Sequence, residues 1–549
     1  MPLIMHYFSW GAYDKILTLG GHQMNREQKI TIGAALTILA GGIGFFARQR
    51  IVHADRKSLQ HEYAQGYGIS EFSYRNASAS DLAQMIRSGQ VTSRQLIKHV
   101  VARIKADNPQ LNAVISLRES AALQEAADLE DTGQPFYGVP ILIKGLGQQL
   151  KGVSNTRGLL ALKNKQANET SDYVKQLQSL GFIIIGQTNY PELGLINVTD
   201  SKLNGTAHNP WRLNRNTGGS SGGAVASVAA DFVPLATGND AGGSLRIPAS
   251  FTGVIGLKPT QGAITGDSTV PSTVNFANAR YISDLQAYFA GMKNAEHPEM
   301  IKDAPSDLKQ LKIAYSVKSP VGTKVSKDAI KAVKQAVKFL RAQGYTVVKK
   351  DAPVDGEKLM KAYYTAATAT GKDANEAIKA ETGKSMRFKK VSPMTWALYQ
   401  ADKKQTAADD QFVANVMVRV AQQMTNFHEQ YPIYLTPTTA TAAPKNNDPA
   451  YLPKYVKRLK HIKKLDHDNQ IQLIYDAWLH GLSKTPFTQL ANISGEPALS
   501  LPTYVTKHGL PIGIQLQAAK GQDQMLLQLG KEFQDNGQFE SFDSYQAKK

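Results

Sequence analysis

Two Gly-Gly-Ser clusters constrain the fold of this chain more than any other feature of its sequence. They are Gly218-Gly219-Ser220 and Gly242-Gly243-Ser244. Paired glycines permit tight turns that a Cβ would block, and they let a bound group approach main-chain N–H groups closely. A serine at the end of such a turn can present its hydroxyl beside amide donors, as an acyl-transfer site requires. The pattern therefore predicts two functional loops on a folded scaffold.

A flexible Gly/Ser linker is the alternative interpretation of this segment. Linkers do not alternate with apolar runs such as 232–236 and 253–257, which predict short buried strands beside the two loops. The small residues between the clusters predict a helix in which Ser227 has a packing role. The pattern favours folded loops over a linker.

Five collinear segments resemble the amidase signature family, hydrolases of carboxylic amides that use a Ser–Ser–Lys triad. The segments are 138–144, 186–192, 217–260, 494–502 and 509–515. They extend over most of the chain, from about residue 75 to about residue 535 once the flanking helices are included. The resemblance implies an α/β protein: one large α/β/α domain around a mixed β-sheet, preceded here by an N-terminal hydrophobic segment.

The resemblance also implies a role for three residues of this sequence. Ser244 matches the nucleophile, Ser220 the bridging serine and Lys144 the base, and the bond between Gly219 and Ser220 matches a cis peptide. In the implied reaction a proton passes from Ser244 through Ser220 to Lys144 while Ser244 attacks the amide carbonyl. An acyl-enzyme forms, the amine leaves, and water hydrolyses the intermediate.

The implied oxyanion hole consists of main-chain N–H groups in the second loop. Ala241, Gly242 and Gly243 supply these donors, together with the amide of Ser244 itself. Such donors stabilise the negative charge that develops on the carbonyl oxygen during acyl transfer.

Residues around the predicted triad are expected to support it. Asp240 and Arg246 flank the nucleophile and are predicted to brace its loop through charge-assisted hydrogen bonds, and Ser221 is predicted to be a hydrogen-bonding loop residue. Two positions depart from the family pattern: Gly145 replaces a frequent Asp after the lysine, and Asn239 replaces the usual Thr before Asp240. These departures are expected to affect rate and substrate range more than reaction type.

A lysine acts as a base only in its neutral form. Lowering its pKa from about 10.4 to about 7 requires burial in an apolar site. The apolar run 141–143 leads directly to Lys144 and predicts such burial. The alternative is a lysine at a strand end whose amine reaches solvent.

The rest of the body shows helical patterns alternating with short apolar strands, which is typical of an α/β layer fold. With 549 residues, 42% of them hydrophobic, the chain is long enough for a large core. Predicted elements are helices at 81–88, 93–106 and 407–427, a helix that begins at Ser326 and ends at Gly344, and a strand at 345–348. Residues 75–540 are predicted to form the amidase domain. Within it, the family resemblance implies that the region 350–430 contributes to the acyl-side pocket and thus to substrate choice.

The N-terminal region is predicted to comprise a leader (1–29), a transmembrane or signal segment (30–47) and a linker (48–74). Residues 30–47 are eighteen consecutive residues without a charge, which meets the length of a membrane span. A signal-peptide core or a buried helix are the alternatives. Arginines after the segment interrupt the approach to a small-residue cleavage site, so the sequence favours an uncleaved anchor, with secretion if cleavage occurs. The side of the membrane and a start at Met24 instead of Met1 stay open.

The net charge of +18 predicts attraction to anionic surfaces such as lipid or cell-wall polymer. No basic motif interleaved with aromatic residues is present, so no specific nucleic-acid partner is predicted. The absence of cysteine excludes a thiolate zinc site, the twelve histidines are scattered, and no metal or organic cofactor is predicted. A homodimer is left open. His208 is predicted to be a turn or surface histidine.

The leading functional prediction is a membrane-associated amidase that hydrolyses a small carboxylic amide to an acid and an amine or ammonia. The glutaminase subunit of a glutamyl-tRNA amidotransferase shares the same sequence pattern and is the first alternative. A non-catalytic surface-binding protein on an amidase scaffold is the second.

Overall fold

A mixed β-sheet of eleven strands organises the computed structural model, which describes residues 67–542 and 545 apart from 269 and 271. In chain order the strands are β1 (Val114–Leu117), β2 (Pro140–Lys144), β3 (Ile183–Thr188), β4 (His208–Asn209), β5 (Arg212–Asn216), β6 (Leu235–Asp240), β7 (Ile255–Lys258), β8 (Val274–Ala279), β9 (Lys312–Tyr315), β10 (Thr346–Lys349), β11 (Ile433–Pro437), β12 (Ala498–Val505) and β13 (Pro511–Ala518). The spatial order is β1-β3-β2-β6-β8-β7-β12-β13-β11-β9-β10, and β4 pairs with β5 in a separate hairpin. The predicted α/β domain with a large mixed sheet is confirmed.

Seventeen α-helices accompany the sheet in the described part of the chain. They are α1 (Glu71–Asn76), α2 (Ala79–Arg87), α3 (Ser93–Leu111), α4 (Glu119–Asp128), α5 (Asp172–Ser179), α6 (Gly222–Ala229), α7 (Arg246–Thr252), α8 (Ile282–Met292), α9 (Lys327–Ala342), α10 (Gly356–Ala366), α11 (Thr368–Thr382), α12 (Pro393–Asp402), α13 (Ala407–Gln430), α14 (Pro453–Lys460), α15 (His467–Leu482), α16 (Gln489–Ser494) and α17 (Asp523–Asp535).

Local sequence explains why helix α9 begins and ends where it does. The Ser326 hydroxyl accepts a hydrogen bond from the Ala329 N–H at 3.1 Å, which satisfies one free amide of the first turn. Gly344 follows the last turn with a φ of 91°, a left-handed conformation that favours glycine. The predicted helix and the strand after it, β10, are both confirmed.

Strand β2 occupies a fully buried position in the sheet. It pairs in parallel with β3 on one side and with β6 on the other. All five of its residues are buried, as its continuous apolar run predicts for a parallel strand covered on both faces. Because β2 and β6 are parallel neighbours, Lys144 at the end of β2 and Asp240 at the end of β6 reach the same edge of the sheet.

The buried apolar residues form two main clusters. The larger surrounds the sheet, and the second is built mainly from helices between α10 and α16. Trp478 of α15 stacks on Tyr364 of α10 in this second cluster, with ring centroids 4.4 Å apart. The helices α10–α16 therefore form a helical layer with this cluster at its core. Within the region 350–430, the predicted helix 407–427 is confirmed as part of α13.

The predicted leader, membrane segment and most of the linker lie outside the described residues, and the anchor at 30–47 stays a prediction. Within the described residues, no helix has both the length and the apolar character that crossing a bilayer requires.

Candidate active site

Lys144 is the centre of a buried polar cluster that joins the ends of β2 and β6 to the first serine loop. Its side chain is fully buried. Its Nζ atom lies within hydrogen-bond distance of three oxygens: Ser220 Oγ at 2.8 Å, Ser221 Oγ at 3.1 Å and Asn239 Oδ1 at 2.6 Å. Two residues predicted to form a relay, Lys144 and Ser220, are thus in direct contact although 76 positions separate them in the chain.

The first serine loop lies between β5 and α6 and is held by side chains on its N-terminal side. Asn216 Oδ1 accepts a hydrogen bond from the Gly218 N–H at 2.9 Å, and Thr199 Oγ1 donates to the Gly218 carbonyl at 2.8 Å. The Gly219–Ser220 peptide bond is cis, as the family resemblance implies. These contacts fix the loop so that Ser220 faces Lys144.

The second serine loop lies directly beside the first. The Ser221 N–H donates a hydrogen bond to the Ser244 carbonyl at 3.2 Å. Ser244 itself is half-buried, whereas Ser220 is buried. The two serine loops are therefore adjacent, and Ser244 lies on the more accessible side.

Burial governs the ionisation of Lys144. It lowers the pKa of this amine from its usual value to about 7, while the negative charge of Asp240 acts in the opposite direction. The cause is desolvation, which disfavours the charged form of an amine. Near neutral pH a substantial fraction of Lys144 is therefore neutral and able to accept a proton. The alternative of a solvent-reaching lysine is wrong, because the side chain is fully buried.

A buried ion pair braces the second serine loop. Arg246 donates from Nε and Nη2 to the two carboxylate oxygens of Asp240, both at 3.0 Å, and neither side chain is exposed. Burial alone would raise the pKa of Asp240, but the charge and hydrogen bonds of Arg246, with a hydrogen bond from Asn492, hold it at about 2. The predicted bracing role of this pair is confirmed.

The amides predicted as an oxyanion hole differ in their surroundings. The Gly243 N–H donates to Asp240 Oδ1 at 2.7 Å, so in this structure it is engaged by the brace rather than presented to a ligand. Gly243 has a φ of 123°, a conformation that a side chain would strain, and this bends the chain just before Ser244. Gly243 is therefore left out of the proposed oxyanion hole, whose donors are the amides of Ala241, Gly242 and Ser244.

Two residues that were not predicted from the sequence reach this loop from the helical layer. Thr488, just before α16, donates from Oγ1 to the Gly242 carbonyl at 2.7 Å. The hydroxyl oxygen of Tyr363 in α10 lies so close to Gly242 that a Cβ there would be 2.6 Å from it. Neither residue stands in a motif, and each is more than 100 positions from Gly242, so no local pattern could have identified them.

Glu192, in the segment 186–192, connects the part of the domain around the sheet to the helical layer. Its buried carboxylate accepts hydrogen bonds from the Ser392 N–H at 2.7 Å and from Thr395 Oγ1 at 2.6 Å. Both partners lie at the start of α12, where a negative charge also interacts favourably with the helix dipole. The glutamate thus acts as a structural link between these two parts of the domain.

Gly145, one of the two departures from the family pattern, has a steric explanation. A Cβ at this position would lie 2.5 Å from Cε1 of Tyr190. The Tyr190 ring is itself held in place, since its hydroxyl lies 3.1 Å from Thr156 Oγ1 and accepts a hydrogen bond from the Gly158 N–H at 3.1 Å. Glycine after the lysine therefore makes room for the tyrosine.

Replacing Gly145 with alanine is expected to destabilise the protein by about 1–3 kcal/mol, because the added methyl overpacks a filled site. Urea unfolding measures the effect. In Tyr190→Leu the ring is gone, so Gly145→Ala should cost much less in that background, and a double-mutant cycle should show strong coupling. Equal costs of Gly145→Ala in both backgrounds would contradict this explanation.

Comparison with known proteins agrees with the fold. The model of the family described as Amidase matches residues 95–527. A lipoamidase from Enterococcus faecalis is 50% identical over 472 residues, which cover 85% of this chain and 64% of that protein. The 6-aminohexanoate-cyclic-dimer hydrolase of Paenarthrobacter ureafaciens is 29% identical over 482 residues, covering 83% of this chain and 94% of that protein.

A solved structure of a 6-aminohexanoate cyclic dimer hydrolase with bound substrate superposes with a TM-score of 0.73 at 27% identity, covering 84% of this chain and 96% of that one. The α/β domain and these matches define an amide-hydrolysing enzyme. The chain belongs to the amidase family.

Proposed function

We propose that this chain hydrolyses a carboxylic amide through an acyl-enzyme, with Ser244 as nucleophile, Ser220 as bridging group and Lys144 as base. The observation that carries the proposal is the buried contact between Lys144 Nζ and Ser220 Oγ at 2.8 Å. A buried amine with a pKa of about 7 is suited to accept a proton near neutral pH. The adjoining loop supplies the half-buried Ser244.

In the proposed reaction the proton of Ser244 moves to Ser220 as the proton of Ser220 moves to Lys144. The Ser244 oxygen then forms a bond to the amide carbonyl carbon, and the carbonyl oxygen becomes negative. The amides of Ala241, Gly242 and Ser244 donate hydrogen bonds to it. Return of the proton from Lys144 through Ser220 to the nitrogen of the substrate allows the C–N bond to break. A water molecule then gives up a proton through the same relay and attacks the ester carbonyl carbon. The bond to the Ser244 oxygen breaks, this oxygen regains a proton, and the carboxylic acid is released.

The relatives indicate the kind of amide. Those named above are a lipoamidase and a hydrolase of a cyclic dimer of 6-aminohexanoate. We propose on this basis that the acyl group of the substrate is a carbon chain of intermediate length. The chain spans 64% of the length of the lipoamidase, so a shared substrate is part of the proposal.

Labelling with a fluorophosphonate probe tests the nucleophile without knowledge of the substrate. In the full-length protein, the adduct mapped by mass spectrometry is expected on Ser244 and is expected to be absent in Ser244→Ala. Ser227→Ala is the matched control, because this serine is buried in α6 with its hydroxyl bonded to the Gly223 carbonyl at 2.8 Å, and it should label normally. An adduct on a different serine of the folded protein would refute the assignment.

The pH dependence follows from the ionisation of Lys144. Only the neutral amine can act as base, so the rate should fall about tenfold for each pH unit below the pKa and level off above it. With a pKa of about 7, the midpoint of this rise is expected near pH 7. The measurement is the rate of fluorophosphonate labelling, or kcat/KM on a simple anilide, between pH 5 and 10. A rate that stays constant from pH 5 to 8 would exclude Lys144 as the base.

A further inference from the structure

Asn239, the second departure from the family pattern, contacts the amine of Lys144 directly. Its Oδ1 lies 2.6 Å from Lys144 Nζ. On the other side of the amide, its Nδ2 donates a hydrogen bond to the Leu146 carbonyl at 2.8 Å. A carbonyl oxygen accepts only, so this second bond fixes which end of the amide faces the lysine. Asn239 therefore offers Lys144 an acceptor and no donor.

The loop that follows Lys144 has room for this arrangement. Gly147 adopts a φ of 78°, and a Cβ there would lie 3.0 Å from Asn239 Nδ2. Gln148 joins the same loop to β6, since its Nε2 donates to the Gly238 carbonyl at 2.8 Å and its Oε1 accepts from the Lys144 N–H at 2.8 Å. The loop that holds the Asn239 amide through the Leu146 carbonyl is thus itself bonded to β2 and β6.

Ser221 presents a second acceptor to the same amine. Its hydroxyl donates to the Asn239 main-chain carbonyl at 3.2 Å, which commits its only proton. Its oxygen, 3.1 Å from Lys144 Nζ, is therefore available to accept. A neutral amine has two N–H groups and one lone pair. With Asn239 and Ser221 each accepting one N–H, the lone pair is left facing the Ser220 hydroxyl.

We infer that Asn239 is a positioning residue that orients the neutral amine of Lys144 toward Ser220 and sets the pH range in which this base works. The inference rests on the proposed function. An uncharged acceptor at this place holds the amine and favours its protonated form far less than a carboxylate would. A carboxylate in the same position would stabilise the ammonium and remove the base.

The charges around Lys144 explain why an uncharged acceptor matters. Asp240, the next residue on β6, is the charged group that acts on Lys144, and it favours the protonated amine. The Asp240 carboxylate is itself bound by Arg246, which offsets much of its negative charge. A further carboxylate at position 239, at 2.6 Å, would carry no such counter-charge.

The test is the pH dependence of fluorophosphonate labelling in full-length wild type and three variants. Asn239→Asp is expected to raise the pKa of Lys144 by about 1–3 units, the effect of a close opposite charge. Its labelling rate at pH 7 should therefore fall by about 5-fold to 500-fold and recover only above the new pKa, which lies between about 8 and 10. Asn239→Leu, which offers no acceptor, should label slowly at every pH without recovery. Asn239→Thr should label within about tenfold of wild type, because a hydroxyl can replace the acceptor.

The outcomes separate this inference from the proposed function. If wild type labels at Ser244 but Asn239→Asp and Asn239→Leu share its midpoint and rate, the positioning role of Asn239 is wrong and the triad stands. If both variants lose activity by the same factor at all pH values, Asn239 has only a structural role and the inference is also wrong. If the wild type is labelled on a residue other than Ser244, the proposed function is wrong, and the inference that rests on it is wrong as well. The inference is confirmed if the midpoint moves to higher pH in Asn239→Asp, Asn239→Leu labels slowly at every pH, and Asn239→Thr labels within about tenfold of wild type.

Discussion

Replacing Lys144 with methionine is expected to abolish amide hydrolysis, with a loss in kcat on the order of 10⁴-fold or more. Single removals of a base or nucleophile from a hydrolase triad have effects of this size. Methionine retains the length and apolar character of the lysine stem, so the buried site stays filled. The measurement is kcat for an anilide substrate together with the rate of fluorophosphonate labelling. Both are expected to fall together, because in the proposed reaction both depend on removing the Ser244 proton.

Lys144→Arg is the informative companion to this variant. Arginine restores a hydrogen-bond donor and a positive charge but stays protonated under all working conditions. A base is therefore absent, and no recovery is expected even at pH 10. Near-normal labelling of Lys144→Met or Lys144→Arg at Ser244 would show that another group takes the proton.

Replacing Arg246 with methionine is expected to have the largest effect on stability. Arg246 and Asp240 are both completely buried, and removing one partner leaves an uncompensated buried charge. Breaking such a pair costs about 3–5 kcal/mol, which urea unfolding can measure. Lys175→Met is the matched control, because the pair of Lys175 and Asp172 is exposed and such pairs contribute little to stability.

The same variant should also change how stability depends on pH. In wild type the pKa of Asp240 is about 2, below its unfolded value, so the carboxylate stabilises the fold above that unfolded value. This contribution is lost as the pH falls toward 2. In Arg246→Met, burial raises the pKa of Asp240 instead, so acidification from neutral pH should stabilise the variant relative to wild type. An unchanged difference between the two proteins from pH 7 to pH 4 would contradict the bracing role.

The two serine loops and the buried strand before Lys144 could be predicted because short local motifs indicate them. The two serine clusters combine glycines at tight turns with serines, and the run before Lys144 is apolar enough to indicate a buried strand. The pairing of Lys144 with Ser220 is what the resemblance to the amidase signature family implies, and the contact between the two side chains agrees with it. The helix that begins after Ser326 could be predicted because its capping residue and apolar spacing agree.

Strand limits were less predictable where long-range contacts intervene. The apolar run 232–236 predicted one strand, but β6 begins only at Leu235. The Phe232 carbonyl accepts a hydrogen bond from the Tyr74 hydroxyl at 2.6 Å instead of joining the sheet. Asp231 just before it has a φ of 56°, which turns the chain away from the strand direction. Tyr74 lies 158 positions away, and no local pattern contains that contact.

The contacts that refine the site were beyond sequence analysis for the same reason. Asn239 was recognised as a departure, but its contact with Lys144 spans 95 positions. Thr488 and Tyr363 reach the second serine loop from helices that pack in the second cluster. Their positions depend on how this cluster docks on the sheet, and neither a motif nor an apolar period encodes that docking.

The neighbours Asn239 and Asp240 have a consequence for how homologous sequences are compared. Consecutive side chains of a strand point to opposite faces. Here Asn239 contacts Lys144, whereas Asp240 pairs with Arg246. Similarity scoring treats asparagine and aspartate as near equivalents. At these two positions an exchange would move a negative charge away from Arg246 and place it beside Lys144, the proposed base. Homologues that align well here but carry Asp-Asn in place of Asn-Asp should therefore be tested for activity before function is transferred to them.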